Sequence, residues 1–251
     1  MCVPADVRTF PNPQLVAQAV AQELTFLFQK LGKTQDLVTV AFSGGSTPKL
    51  LFKELLTHST SLPWEKTHVF LVDERWVPVE HEERNFRVLK ELLLDHVPIP
   101  SRNVHPMPVA QPDPAVASAD YELTLGQVFG IQQPDIPAFD LVLLGLGSDG
   151  HTASMFPGEP SQVPLTTDRW VVAPYVPKLA SYRMTLTLRV LNNARNVWFL
   201  VTGPSKEEIL PVVLGKEPFD ISLYPSQAVD PPNPPVWWVD EEAATKLNKT
   251  N

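Results

Sequence analysis

A continuous apolar run that ends in a glycine-rich turn constrains this chain more than any other feature of its sequence. The stretch from Phe139 to Gly158 reads FDLVLLGLGSDGHTASMFPG. Its first part, residues 140–144, fits a strand that is buried on both faces of a parallel sheet. The glycines that follow break the strand and permit a close approach of the backbone. The stretch therefore predicts an α/β protein with a turn of special geometry at the end of a central strand.

The turn carries two titratable side chains, Asp149 and His151. In open α/β sheets, ligands bind outside the carboxyl ends of the strands, so both residues fall where such folds place their sites. The alternative is a plain glycine-rich turn in which Asp149 caps the next helix. A turn of that kind does not require a histidine, so we favour a functional site.

The rest of the chain alternates between strand and helix patterns. Further strands are predicted at 37–42, 67–72, 170–173, 196–201 and 236–239. Helices are predicted at 13–32, 48–56, 86–94, 115–129 and 205–214, with a short final helix from Asp240. This order predicts a mostly parallel sheet with helices on both faces, in a single α/β domain over residues 1–251.

Helix boundaries follow from the capping residues. Asn12 is a suitable N-cap with Pro13 at the first helical position, and Gly32 is predicted to end that helix. Thr47 is the predicted N-cap of the next helix, with Pro48 at its first position.

Composition narrows the function classes. The chain has 251 residues, a net charge of −8 and one cysteine, Cys2. The negative balance argues against general binding of nucleic acid or of anionic membranes, but it leaves room for a local anion pocket. The start lacks a signal-peptide pattern, and no apolar run reaches the length that spans a bilayer. We expect a soluble, cytoplasmic protein.

A second glycine-rich loop, residues 43–47, directly follows a predicted strand and precedes a helix. Backbone N–H groups at such a helix start, joined by hydroxyl groups, bind phosphate. The alternative is an ordinary tight turn. The loop matches neither the Walker pattern nor the dinucleotide fingerprint, so no nicotinamide cofactor is predicted.

Charged residues supply three weaker candidates. Asp73, Glu74 and Arg75 follow the strand at 67–72, and they fit either a site or a surface ion pair. Lys206 begins a predicted helix, where the helix dipole disfavours a cation unless it faces an anion. Otherwise it is a solvated lysine. Arg183 is a similar isolated candidate.

A metal site is not predicted. The six histidines show no ligand spacing on one element, and one cysteine cannot form a thiolate site. His81 lies in a glutamate-rich turn that is typical of a solvated face. The pair Trp237 and Trp238 lies in a strand pattern and is interpreted as core or interface rather than as a sugar platform.

Four segments together resemble the 6-phosphogluconolactonase family. They are FSGGSTP at 42–48, DERWVP at 73–78, GLGSDGHTASMFPG at 145–158 and RMTLT at 183–187, in the family's order. The resemblance implies a Rossmann-like fold shared with glucosamine-6-phosphate deaminase and ribose-5-phosphate isomerase. It also implies hydrolysis of 6-phospho-D-glucono-1,5-lactone to 6-phosphogluconate, in the oxidative pentose phosphate pathway.

The resemblance gives the candidate residues provisional roles. His151 becomes the general base, and Asp149 orients either His151 or the sugar. The phosphate and the sugar hydroxyls fall to a larger set: Gly44, Gly45, Ser46, Thr47, Asp73, Arg75, Arg183 and Lys206. Which of the three cations takes the phosphate stays open. The expected partner is a small phosphorylated sugar lactone, with no cofactor, no metal, no nucleic acid and no membrane, and the chain is expected to be a monomer or a small homo-oligomer.

Two other functions remain possible at this point. Glucosamine-6-phosphate deaminase carries a Phe-Asn-Glu-Pro-Gly stretch after its histidine, whose glutamate serves ring opening. Here the corresponding stretch is Ser-Met-Phe-Pro-Gly at 154–158, with no carboxylate before Glu159. A non-catalytic sugar-phosphate sensor should carry a DNA-binding module, and no basic helix-turn-helix segment is found.

Overall fold

The computed structural model describes residues 6–158, 163–215 and 219–247. The strands are β1 (Asp6–Phe10), β2 (Val38–Phe42), β3 (Thr67–Leu71), β4 (Asp73–Arg75), β5 (Val104–His105), β6 (Leu141–Gly145), β7 (Val171–Val172), β8 (Tyr175–Val176), β9 (Ser181–Leu186), β10 (Val197–Val201) and β11 (Val236–Asp240). The α-helices are α1 (Pro13–Thr34), α2 (Ser46–Thr57), α3 (Asn85–Leu92), α4 (Pro114–Phe129), α5 (Val163–Thr166), α6 (Leu188–Leu191) and α7 (Ile209–Gly215).

A seven-stranded parallel sheet forms the centre of the fold. Its order is β1-β11-β10-β6-β2-β3-β5, and every pair within it is parallel. The predicted central strand β6 lies between β2 and β10, and every residue of those two neighbours is buried. Strands buried in this way need helices on both faces, so the predicted α/β class is confirmed.

Helix α1 follows the predicted pattern at its start but not at its end. The Asn12 side chain accepts a hydrogen bond from Leu15 N at 2.9 Å, as an N-cap should. The helix then runs through Gly32 and ends at Thr34, so the predicted stop at Gly32 is wrong. A Cβ at position 32 would lie 2.9 Å from the Pro63 side chain. Gly32 therefore serves close packing within the helix rather than its termination.

Three other predicted helices also differ from the structure. Helix α2 begins at Ser46 with Gly45 as its N-cap, so Thr47 lies inside the helix. The predicted helix at 205–214 divides into a 3₁₀ turn, Pro204–Lys206, and α7. After β11 the chain forms turns in place of the predicted final helix, although the Asp240 carboxylate still accepts a hydrogen bond from Ala243 N at 2.9 Å.

A small antiparallel sheet is absent from the architecture that the sequence predicts. Strand β9 pairs with β4 and β7, and β8 also pairs with β9. A hydrogen bond of 2.8 Å from Leu186 N to Val72 O joins this sheet to the end of β3. The small sheet thereby lies beside the carboxyl end of the large one, where the predicted site falls.

The buried core includes both Trp237 and Trp238, which agrees with their interpretation as core residues. It also joins apolar side chains of the small sheet, such as Met184, to those of the large sheet. A single domain over residues 1–251 stays a prediction. None of the helices in residues 6–158, 163–215 and 219–247 is long and apolar enough to cross a membrane.

A pair of histidines at the β3–β5 edge should make stability depend on pH. His68 Nδ1 and His105 Nε2 lie 3.0 Å apart. Burial, followed by the neighbouring His68, lowers the pKa of His105 to about 4. The unfolded chain, in which histidine has its ordinary pKa of about 6.5, binds the proton more readily below that pH. Stability from this group is therefore complete above about pH 6.5 and is lost as the pH falls toward 4.

We expect His105→Gln to flatten this pH dependence. Between pH 7 and pH 5 the wild-type protein should lose about 1 kcal/mol through His105, after allowance for solvent screening of the partly exposed rings. Such a loss lowers Tm by roughly 2–4 °C in a chain of this size. Thermal melts at both pH values measure the difference, with His81→Gln, which changes an exposed histidine, as the control. An unchanged slope in His105→Gln would contradict the prediction.

Candidate active site

The turn after β6 folds back on itself and places His151 at the end of the central strand. Gly147 N donates to His151 O at 2.7 Å, and Gly150 N donates to Gly147 O at 3.0 Å. Gly150 has φ of 82°, a left-handed conformation that favours glycine. Thr152 Oγ1 then donates to Gly145 O at 2.8 Å, which fixes the exit of the turn to its entry.

Asp149 and His151 form a hydrogen-bonded dyad. His151 Nδ1 lies 2.5 Å from Asp149 Oδ1, and the His151 backbone N–H donates to the same oxygen at 3.2 Å. An ionised carboxylate accepts only, so a neutral imidazole bound to it carries its proton on Nδ1 and a lone pair on Nε2. Of the two roles left open for Asp149, the geometry supports the orientation of His151.

A cation from the small sheet completes this dyad. The Lys178 ammonium forms an ion pair with Asp149 Oδ2. Burial raises the pKa of Asp149, but hydrogen bonds from His151 and Lys178 outweigh it and hold the pKa well below its usual range. Asp149 is therefore ionised at every pH at which the protein is expected to work.

The dyad also restricts the backbone next to it. A Cβ built at Gly147 would lie 2.0 Å from His151 Nδ1 and 2.7 Å from Asp149 Oδ1. Any side chain at position 147 would displace the imidazole from its carboxylate. Gly147 is thus required by close approach rather than by its backbone dihedral angles.

The second glycine-rich loop faces this turn from the end of β2. Gly45, with φ of 117°, is the N-cap of α2 and directs the free N–H groups of the first helical turn outward. A Cβ at Gly44 would lie 1.9 Å from Asn85 Oδ1. Thr47 Oγ1 and Thr202 Oγ1 are 2.6 Å apart, which ties α2 to the loop after β10.

Strand β4 divides its three charged residues between two environments. Glu74 is fully buried and accepts hydrogen bonds of 2.8 Å from the backbone N–H groups of Arg75, Asn85 and Phe86. Burial raises the pKa of Glu74 despite these donors. Asp73 is partly exposed and accepts a hydrogen bond of 2.7 Å from Ser154 Oγ. The surface ion pair offered as an alternative is therefore wrong for Glu74.

The predicted cations do not occupy equivalent positions. Lys206, at the end of the 3₁₀ turn, and Arg75 both line the cavity between the two loops. Burial lowers the pKa of Lys206, against the opposing influence of Asp149. Arg183 pairs in register with Arg75 but does not line the cavity. Burial, followed by the charge of Arg75, lowers the pKa of Arg183.

The cavity itself has a volume of about 240 Å³ and brings most of the predicted residues together. Those that line it are Gly44, Gly45, Ser46, Thr47, Asp73, Arg75, His151 and Lys206. Asp149 contacts it through His151, and Arg183 lies outside it. Ser43, Asn85 and Thr202 also line it, although the sequence predicts no individual role for any of them. Ser43 lies within the predicted loop 43–47, and Asn85 and Thr202 adjoin predicted motifs, whereas no pattern in the sequence points to Lys178.

Known proteins are similar in sequence to nearly the whole chain. The sequence model of a family described as glucosamine-6-phosphate isomerases/6-phosphogluconolactonase matches residues 11–238. The protein named 6-phosphogluconolactonase in Synechocystis sp. is 43% identical over 237 residues, which cover 94% of this chain and 95% of that protein. The chain belongs to this family.

Solved structures agree with the family assignment. The structure titled 6-phosphogluconolactonase from Trypanosoma cruzi aligns with a TM-score of 0.86 at 28% identity, over 98% of both chains. A structure titled as a monomeric glucosamine-6-phosphate deaminase aligns with a TM-score of 0.77, over 96% of this chain and 99% of that one. Its identity of 16% shows the shared fold alone, which is the fold that the sequence resemblance implied.

The part of the chain that the structure describes contains no group of three or more His, Cys, Asp or Glu side chains that could hold a metal ion. The absence of a metal and of a cofactor stays a prediction.

Proposed function

We propose that this 6-phosphogluconolactonase-family protein hydrolyses 6-phospho-D-glucono-1,5-lactone to 6-phospho-D-gluconate, the lactonase step of the oxidative pentose phosphate pathway. The observation that carries the proposal is the single cavity that joins the His151 imidazole to a helix N-terminus and two cations. An ester with a remote phosphate needs both a base and an anion site at a fixed separation.

The phosphate end is formed by the start of α2 together with Arg75 and Lys206. Free backbone N–H groups and the helix dipole favour an anion at this position. Ser46 adds a hydroxyl at the first helical residue. A bound phosphate also explains why Lys206 is half-buried in the 3₁₀ turn, because the ligand supplies a negative charge to partner the ammonium group.

The reacting end is organised by His151. Nδ1 is held by Asp149, and Nε2 makes no hydrogen bond within the residues that the structure describes. This nitrogen is the base that removes a proton from water as the water oxygen attacks the lactone carbonyl carbon. When the tetrahedral intermediate collapses, the bond to the ring oxygen breaks, and the imidazolium returns the proton to that oxygen. The products are a carboxylic acid, which ionises, and a free hydroxyl group.

Ser43 is a further binding residue of this site. Its hydroxyl is buried and has no hydrogen-bond partner among the described residues, yet the residue lines the cavity. A buried hydroxyl without a partner is costly, and a polar group of the substrate is the partner that we propose. No nucleophilic serine or cysteine is assigned, because His151 has no such side chain within hydrogen-bond distance in the described structure.

Partners and location are proposed from the same activity. A small phosphorylated sugar lactone is the partner. Cytoplasmic location, the absence of nucleic-acid and membrane partners, and a monomeric or small homo-oligomeric state remain predictions.

Glucosamine-6-phosphate deamination is the alternative on this fold. It requires an acid–base group at the ring oxygen and proton transfer between C1 and C2. Among the described residues that line the cavity, Asp73 supplies the carboxylate, and it is already bonded to Ser154 Oγ. Glu159, the other carboxylate considered, lies outside the described residues. Met155 and Phe156, which replace the deaminase motif residues, are both buried.

The experiment gives one enzyme preparation both substrates. We expect acid release from freshly generated phosphorylated lactone, measured above the spontaneous rate, and neither ammonia nor fructose 6-phosphate from glucosamine 6-phosphate. Lactone hydrolysis needs no transfer of a carbon-bound proton, and the described cavity offers no second free carboxylate for one. Ammonia release at a rate comparable to lactone hydrolysis would contradict the proposal.

A further inference from the structure

The strongest unassigned feature is a lysine that reaches the dyad from the small sheet. Lys178 lies in the 3₁₀ turn Pro177–Leu179 between β8 and β9. Ala180 follows it with φ of 46°, an unusual left-handed conformation for alanine, and donates its N–H to Pro177 O at 3.0 Å. This turn directs the Lys178 side chain to the Asp149 carboxylate, 29 residues earlier in the chain.

Lys178 makes two contacts there, and both lead to His151. Its ammonium pairs with Asp149 Oδ2, while Asp149 Oδ1 receives His151 Nδ1 at 2.5 Å. The same ammonium lies 4.5 Å from the centre of the Phe156 ring. The Phe156 ring packs against the imidazole with centroids 4.4 Å apart. The carboxylate and the aromatic ring that fix the imidazole are thus both held by one cation.

We infer that Lys178 is a positioning residue of the lactonase reaction, which holds Asp149 and Phe156 so that the His151 imidazole stays directed at the cavity. Lys178 itself does not line the cavity within the described residues, so it acts through other side chains rather than on the substrate. This inference rests on the proposed lactonase activity.

Removal of the Lys178 charge should affect the His151 imidazole in one predictable direction. A carboxylate shared between an ammonium and an imidazole stabilises the protonated imidazole less than a carboxylate that the imidazole has alone. Removal of Lys178 should therefore favour the imidazolium, which cannot act as a base. Other charged side chains face the dyad from two further elements: Lys206 from the 3₁₀ turn after β10, and Asp73 and Arg75 from β4. They stay in place when Lys178 is changed.

The test compares Lys178→Met, which approximately keeps the length of the side chain, with Lys178→Arg, which keeps the charge. We expect Lys178→Met to lower kcat at neutral pH by about tenfold, with KM within about twofold. The acid limb of its kcat–pH profile should move to higher pH by up to about one unit. Lys178→Arg should recover most of the wild-type rate and profile. Lys90→Met is the matched control, because Lys90 also forms an exposed ion pair, with Asp95 at 2.5 Å.

A second measurement does not depend on turnover. The His151 ring resonances are followed by NMR against pH in the wild-type protein and in Lys178→Met, and we expect a higher titration midpoint in the variant. Wild-type kcat and an unmoved acid limb in Lys178→Met would overturn the inference, as would a raised KM with an unmoved limb, which indicates direct substrate binding. If the wild-type protein does not hydrolyse the lactone, the proposed function fails, and equal ring midpoints would then also overturn the role of Lys178.

Discussion

Replacement of His151 by asparagine is expected to lower kcat for the phosphorylated lactone by roughly 10²–10⁴-fold, the usual contribution of a general base. Asparagine cannot accept the proton from water at neutral pH, whereas His151 lines the cavity and keeps Nε2 available while Asp149 holds Nδ1. KM should stay within about threefold of the wild-type value, because the phosphate contacts lie on other elements.

Steady-state assays with the spontaneous hydrolysis subtracted measure this effect. His81→Asn is the control, since it makes the same change at an exposed histidine. Near wild-type kcat in His151→Asn would remove this histidine from the proposed mechanism. A large rise in KM with unchanged kcat would instead assign it to substrate binding.

Replacement of Lys206 by alanine is expected to raise KM for the phosphorylated lactone by about 10–100-fold, the usual value of a hydrogen bond to a charged group. The same change should barely affect hydrolysis of glucono-1,5-lactone, which has no phosphate. Lys206 lines the cavity and is half-buried, and among the described residues the charge of Asp149 opposes the lowering of its pKa by burial. The wild-type KM should also rise with salt, because the attraction is screened.

Kinetics with both lactones separate the possible roles. Equal losses for the two substrates would show that Lys206 does not bind the phosphate. Arg183→Ala provides the comparison among the predicted cations: it should have a much smaller effect on KM than Lys206→Ala, because Arg183 lies outside the cavity lining. Lys90→Ala, at an exposed ion pair of α3, is the control for a general change of charge.

The parts of the fold that the sequence predicts are those with a local physical cause. The apolar run at 140–144 fits a strand covered on both faces, and residues 141–145 form β6 in the middle of the parallel sheet. Asn12 caps α1 because an asparagine oxygen reaches the free N–H groups of the first turn. The two glycine-rich loops follow strands directly, so their approach at one sheet edge follows from the parallel topology.

The missed parts depend on contacts between distant residues. The sequence pattern around Glu74 is typical of a surface charge. Only the pairing of β4 with β9 shows that Glu74, the middle residue of the strand, is buried. Gly32 has the pattern of a helix end, because the sequence does not show that Pro63 packs against it. Lys178 lies in a Pro-Lys-Leu turn without any local pattern, and only the small sheet brings it to Asp149. Tertiary packing, not propensity, decides all three.

At two glycines, close contacts make the residue allowed at one position depend on the side chain at another. The Cβ of any residue at 44 would lie 1.9 Å from Asn85 Oδ1, and one at 147 would lie 2.0 Å from His151 Nδ1. A larger residue at 44 becomes compatible only after residue 85 has been shortened, so the two substitutions are strongly non-additive. At position 147 no compensating substitution is available as long as His151 is retained, because the contact is with its imidazole. Redesign of this cavity for a different sugar can therefore begin with residues 44 and 85, which can be changed one after the other. Residue 147 cannot be enlarged without losing His151.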